Sequence, residues 1–102
     1  MYGCTVEFAH HQSSPPTVNS PEQTEVVRAA AERALGVDNV IPDVEPLMES
    51  EDFAFMLQQR PGSYIFLGHD GLACHHPEFD FDDDTAPAGA AVFLEIVRSR
   101  LG

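Results

Sequence analysis

Residues 61–68 read Pro61-Gly62-Ser63-Tyr64-Ile65-Phe66-Leu67-Gly68. Four large apolar or aromatic side chains follow one another, so neither face of the run is polar. Such a run predicts a strand over 63–67 covered by helices, and with it an α/β layer. The flanks are helical in pattern. Upstream, a short helix is predicted over 50–59. Ser50 is placed to cap it, Glu51 and Asp52 set negative charge at the positive end of its dipole, and Phe53, Met56 and Leu57 share a face. Pro61-Gly62 ends it. Downstream, residues 68–85 form a long irregular stretch, a length that is uncommon inside a domain unless it is functional or disordered. A strong helix over 86–101 closes the chain. Thr85 or Asp84 caps it, Pro87 sits near its start, and Ala90, Phe93, Leu94, Val97 and Leu101 face one way.

Towards the N-terminus, a helix is predicted over 21–35. Ser20 and Gln23 make a capping box around Pro21, Val26, Val27, Ala30, Ala34 and Leu35 form the apolar stripe, and Gly36 stops it. Val37 to Leu47 holds two prolines and reads as loop, with room for a short strand at Val40-Ile41. Before the first helix, Ser13-Ser14-Pro15-Pro16 stiffens a linker. Cys4, Val6 and Phe8 alternate with Thr5, Glu7 and Ala9, which predicts a half-buried N-terminal strand. Two or three strands make a thin sheet for three helices, so the helices are expected to keep uncovered apolar faces.

The chain of 102 residues fits one domain. It carries 17 acidic and 5 basic residues, a net charge of −12. That charge repels phosphate backbones and anionic lipid, so neither nucleic acid nor a membrane is an expected partner. Two cysteines, Cys4 and Cys74, make no disulfide framework and read as free thiols. No signal peptide or membrane span is legible, which makes the cytoplasm the expected location.

The segment richest in chemistry is Cys74-His75-His76-Pro77-Glu78-Phe79-Asp80-Phe81-Asp82-Asp83. Imidazole and thiolate suit zinc and related ions, and nearby carboxylates can orient a ligating imidazole. No spacing matches a zinc finger or a His-Glu-x-x-His helix. A polar surface loop ending in a helix-capping acidic run accounts for the same residues. Ser50-Glu51-Asp52 could serve acid–base chemistry, or only cap a helix. His10-His11 and His69 read as turn and loop residues.

Several segments, taken in order, resemble one family. They are Pro16-Thr17-Val18-Asn19, Glu51-Asp52-Phe53, Pro61 to Gly68, His75-His76-Pro77-Glu78-Phe79-Asp80-Phe81-Asp82 and Pro87-Ala88-Gly89-Ala90. The family is that of the metallopeptidase-like aminoacylases, hippurate hydrolases and auxin-conjugate amidohydrolases. The resemblance runs over about residues 15–102.

It implies a two-domain enzyme whose α/β/α zinc-peptidase-like catalytic domain is interrupted by a lid or dimerisation domain. Residues 1–13 would end the lid with a short strand, 14–20 would be the return hinge, and 21–102 the C-terminal part of the catalytic domain. The implied reaction is hydrolysis of the amide bond of N-acyl amino acids or similar conjugates at a two-metal centre of zinc, manganese or cobalt. The implied metal ligand is His75, with His76 in the variable place. Ser50, Glu51 and Asp52 would lie beside the substrate or behind the metal ligands. The family's other ligands and its glutamate base transfer onto no residue here, including Cys4, His10 and His11. The expected chain is therefore a C-terminal fragment, inactive alone and prone to self-association. The competing expectation is a non-catalytic association or weak metal-binding module derived from the same fold.

Overall fold

A computed structural model describes residues 2–11 and 14–102. Three α-helices dominate it: α1 (Pro21–Leu35), α2 (Phe53–Gln59) and α3 (Ala86–Leu101). Short 3-10 turns follow α1 at Val37–Asn39 and precede α3 at Asp83–Thr85. The predicted bounds of α1 and α3 agree with these spans, whereas α2 starts three residues later than predicted.

The ends explain themselves chemically. Pro21 has no N–H to satisfy, and Gly36, at φ 88°, closes α1 with its N–H on the Glu32 carbonyl. The predicted capping box does not form. The Ser20 N–H that Gln23 would have capped donates instead to the Gly62 carbonyl at 2.9 Å. Gln23 is thereby released, and its Oε1 accepts from Arg100 on α3 at 2.6 Å. At α2, Ser50 is not the cap. Glu51 Oε1 accepts from the Phe53 N–H at 3.0 Å, which begins the helix at Phe53.

Helix α1 lies along α3. Ala30 of α1 and Val92 of α3 are buried, as is Ala54 of α2. Arg33 and Arg98 both reach Glu95, at 3.3 and 2.7 Å, so one ion pair joins the helices and the other stays within α3. On α1, Arg28 bridges Glu25 and Glu32. These pairs are largely exposed and add little to stability. Small residues form the whole core: no large side chain is fully buried among the described residues.

The α/β expectation is overturned. No strand occurs among the described residues. Residues 63–67 form none, and Ile65, Phe66 and Leu67 are 45, 58 and 44% exposed rather than covered by helices. The N-terminal alternation from Cys4 to Phe8 is likewise no strand, with Val6 and Phe8 on the outside, and Val40-Ile41 makes no bridge. A strand from a lid domain and an α/β/α layer are therefore both absent from the described residues. The reason is that a strand needs a neighbour to pair with. Residues 63–67 find only a side-chain substitute: Asn19 Nδ2 donates to the Tyr64 carbonyl, and the Tyr64 N–H donates to Asn19 Oδ1, each at 2.8 Å. One amide imitates one rung of a ladder. Leu67 nonetheless touches α3, where its Cδ2 would lie 3.3 Å from a Cβ on Gly89.

Candidate functional site

The two predicted clusters are built very differently. The Ser50-Glu51-Asp52 segment enters α2 and is anchored through Glu51. One carboxylate oxygen accepts from the Phe53 N–H and the other from the Tyr64 hydroxyl, both at 3.0 Å. The Phe53 N–H, and after it the Tyr64 hydroxyl, holds the Glu51 carboxyl below the usual carboxylate range. The same bond pushes the Tyr64 hydroxyl up. Both Glu51 oxygens are engaged, so the carboxylate is better suited to anchoring than to taking a proton from water. Ser50 and Asp52 are exposed; neither side chain joins this network, and only the Asp52 main chain adds to the hold on Glu51.

His75 sits in a tight turn. The His76 N–H donates to the Ala73 carbonyl at 3.0 Å, which makes His75 the third residue of a four-residue turn. Its φ is 75°, the only positive value among described residues other than glycine. That place in a type II turn normally calls for glycine or asparagine. A histidine held in the left-handed region stores backbone strain of about 1 kcal/mol or more, and such residues cluster at functional sites. The imidazole of His75 is exposed. His76 differs: its Nδ1 accepts from the Glu78 N–H at 3.1 Å, and a second turn runs from the His76 carbonyl to the Phe79 N–H. The loop thus spends His76 on its own shape and leaves His75 uncommitted.

The rest of the loop folds on His69. Its ring meets Phe79 edge-on at 5.6 Å, and its Nδ1 is buried without a hydrogen bond. An open, shallow cleft of about 390 Å³ lies between residues 69–71 and 80–84. Asp82 turns inward on the chain, its Oδ1 accepting from the Asp84 N–H at 3.0 Å and its carbonyl from Thr85 Oγ1 at 2.7 Å. The acidic run is therefore partly a helix-capping device.

A metal tests this arrangement. Among the described residues, no three His, Cys, Asp or Glu side chains converge as an ion would require. His75 has the free imidazole a ligand needs, but Cys74, His76 and the aspartates do not join it, and Cys4, His10 and His11 lie exposed in the N-terminal arm. The described residues by themselves therefore bring at most one free imidazole to such a site. Sequence reasoning missed Asn19 and Tyr64 as site-building residues. Tyr64 looked like one more apolar strand position, and a contact 45 residues apart leaves no local signal.

A family model described as Peptidase family M20/M25/M40 matches residues 3–99. This chain belongs to that family. The putative amidohydrolase YhaA of Bacillus subtilis is 35% identical over 98 residues, which is 90% of this chain and 24% of that protein. The N-acetyl-L-cysteine deacetylase of the same organism is 39% identical over 92 residues, 89% of this chain and 21% of its own. The IAA-amino acid hydrolase ILR1-like 4 of Arabidopsis thaliana is 32% identical over 100 residues, 90% and 22% respectively. The chain spans about a quarter of the length of these relatives. No solved structure matches. The family supports a hydrolase related to amidohydrolases, as the resemblance implied. No helix among the described residues is long and apolar enough to cross a membrane.

Proposed function

We propose that this chain is the C-terminal part of a metal-dependent amidohydrolase that cleaves N-acyl amino acids or similar conjugates, and that it is inactive alone. The observation that carries the reading is His75. It is an exposed imidazole in a left-handed turn position, next to a histidine already committed to the loop. In this reading His75 supplies one ligand to a divalent ion, of zinc, manganese or cobalt type, and the other ligands come from polypeptide outside these 102 residues. Residues 1–13 end a lid or dimerisation domain, 14–20 act as hinge, and 21–102 belong to the catalytic domain. Ser50, Glu51 and Asp52 lie on the substrate side, with Glu51 as the anchor. The substrate is a small N-acyl amino acid or conjugate, the compartment is the cytoplasm, and nucleic acid and membranes are not partners.

The test is made in the full-length enzyme that contains this sequence. His75→Ala is expected to remove bound metal and amide hydrolysis while the fold persists, and His76→Ala to do far less. Loss of metal with His76→Ala alone moves the ligand by one residue, and indifference to both substitutions ends the reading.

A second reading has its own observation. The chain exposes 8954 Å², against about 5,700 Å² for a compact monomer of its mass. Its radius of gyration is 18.7 Å, against about 13 Å for a domain of this length. Phe66, Phe93, Leu94, Val97 and Leu101 are among the exposed apolar side chains. A surface of that kind supports self-association, whether the chain is an enzyme part or a non-catalytic association module. Sedimentation over a range of concentrations tests it, and a monomer that resists concentration excludes it.

A further inference from the structure

The 14–20 linker and the 50–52 segment lie far apart in sequence, yet one tyrosine touches both. Asn19, in the linker, brackets the Tyr64 main chain with its carboxamide, donating to the carbonyl and accepting from the N–H, both at 2.8 Å. The Tyr64 side chain makes a separate contact, its hydroxyl donating to Glu51 Oε2 at 3.0 Å. Glu51 in turn receives the first free amide of α2, that of Phe53. The ring of Tyr64 is held between two others, Phe53 at 5.7 Å and Phe66, edge-on, at 5.4 Å. It therefore has little freedom to keep its bond to Glu51 if its own backbone moves.

We propose that Asn19 and Tyr64 are positioning residues for Glu51: the Asn19 carboxamide fixes the Tyr64 main chain, and the Tyr64 hydroxyl fixes the Glu51 carboxylate, so that displacement of the linker shifts the 50–52 segment. Two bonds of ordinary length make the first joint and one charge-assisted bond makes the second, and charge-assisted bonds are the stronger kind. Flanking bonds keep the joint aligned. The Ser20 N–H reaches the Gly62 carbonyl at 2.9 Å, and Thr24 Oγ1 lies 3.1 Å from Ser63 Oγ. The junction is a short bracket between the start of α1 and the run that follows α2, with Asn19 at its outer end. The functional meaning of the relay, a hinge that adjusts the substrate side, rests on the reading of 14–20 and 50–52 given above. The coupling itself does not.

Amide hydrogen exchange on the full 102-residue chain separates the two. The reporters are the Phe53 amide, which donates to Glu51, and the Tyr64 amide, which donates to Asn19. The Ala30 amide in α1 is the control for global opening. Tyr64→Phe is expected to speed Phe53 exchange about tenfold and to leave the Tyr64-position amide near its original rate. Asn19→Ala touches nothing at Glu51, yet is expected to speed both reporters about tenfold. The double variant should show no more at Phe53 than the larger single, because each breaks the same chain of contacts. The relay is overturned if Asn19→Ala speeds only the Tyr64 amide, if the two effects multiply to about a hundredfold, or if Ala30 accelerates by the same factor. Should Asn19→Ala fail to fold, Asn19→Asp keeps the acceptor for the Tyr64 N–H, loses the donor and sets a carboxylate oxygen against the Tyr64 carbonyl. A several-fold rise at Phe53 is then expected, and no rise overturns the proposal. No hydrolysis is measured, so failure here leaves the amidohydrolase reading to its own test.

Discussion

The α1–α3 pair and the loop from Gly68 to Thr85 are opposites in how they hold their shape. The helices meet along small buried residues, Ala30 and Val92, and add ion pairs at the edges. The loop buries almost nothing and is shaped by consecutive turns, at Ala73–His76 and His76–Phe79, and by the Asp82 cap. The first region is held by side-chain packing, with Val92 buried and the stripe of Phe93, Leu94, Val97 and Leu101 left outside, and it can be disrupted by volume. The second is specified by individual hydrogen bonds and contributes little buried surface to the fold. This predicts that stability and chemistry respond to different substitutions.

The largest expected effect lies in the loop and concerns activity. His75→Ala in the full-length enzyme should lower amide hydrolysis by at least about a hundredfold, since removing even a partner behind a metal ligand costs 10–100-fold. With both proteins stripped of metal, its thermal midpoint should hardly move, because an exposed loop side chain contributes little to the core. Activity and calorimetry on the same preparation check both halves. A large loss of stability would break the comparison.

The next effect lies in the helices and concerns stability. Val92→Ala opens a void in a core that has few other buried side chains, and should destabilise by about 1–3 kcal/mol. Its neighbour Phe93 is 68% exposed. Phe93→Ser should leave the denaturant midpoint of the monomer nearly unchanged while weakening self-association. Paired unfolding and sedimentation measurements distinguish the two positions. If Phe93→Ser destabilises as much as Val92→Ala, the open face of α3 is covered within the chain after all.

Acid should act on the helices and the Tyr64 junction through two carboxyls that the fold holds low. The Phe53 N–H and the Tyr64 hydroxyl hold the Glu51 carboxyl low, and the bond from Arg98, with Arg33 behind it, does the same for Glu95. A carboxyl that is more acidic in the folded chain than in the unfolded one favours folding when ionised. Its contribution is complete above the usual carboxylate range, roughly pH 5, and is lost as pH falls through and below about pH 4. Circular dichroism titration should therefore show helix loss on the acid side, and Glu95→Gln should flatten part of that slope.

The same contrast explains what was legible in the sequence. Pro21, Gly36 and Pro87 mark α1 and α3 because their effects are local, and the spans agree with the expectation. Ser50 predicts an earlier start for α2 because serine is the commoner cap, whereas Glu51 caps the Phe53 amide while Tyr64 holds its other oxygen. The sheet was misread for a related reason. A run such as Tyr64 to Leu67 announces only that it is apolar, and whether it pairs depends on a second segment. Here that segment reduces to the Asn19 side chain. The resemblance singles out His75, but its left-handed backbone has no local signal, since no glycine or asparagine marks the place.

The smallest expected effect tests how the loop is shaped. Gly71 has no Cβ, and one added there would lie 2.5 Å from Cε1 and Nδ1 of His69. Real contacts do not come so close, so Gly71→Ala must turn the His69 ring away. The ring would leave the edge of Phe79, and its buried Nδ1 would reach water. Those changes offset each other. The aromatic contact is worth about 0.5–1.5 kcal/mol, while an unpaired buried ring nitrogen regains hydration on release. The net loss of stability should be under about 1 kcal/mol, close to the limit of an unfolding curve. The ring itself gives the clear signal: nuclear Overhauser contacts between His69 and Phe79 should vanish in Gly71→Ala, while those along α1 and α3 persist. If the His69–Phe79 contacts survive, Gly71 does not support the ring. If the helix contacts change as well, the loop and the helix pair are not the separate regions that their packing describes.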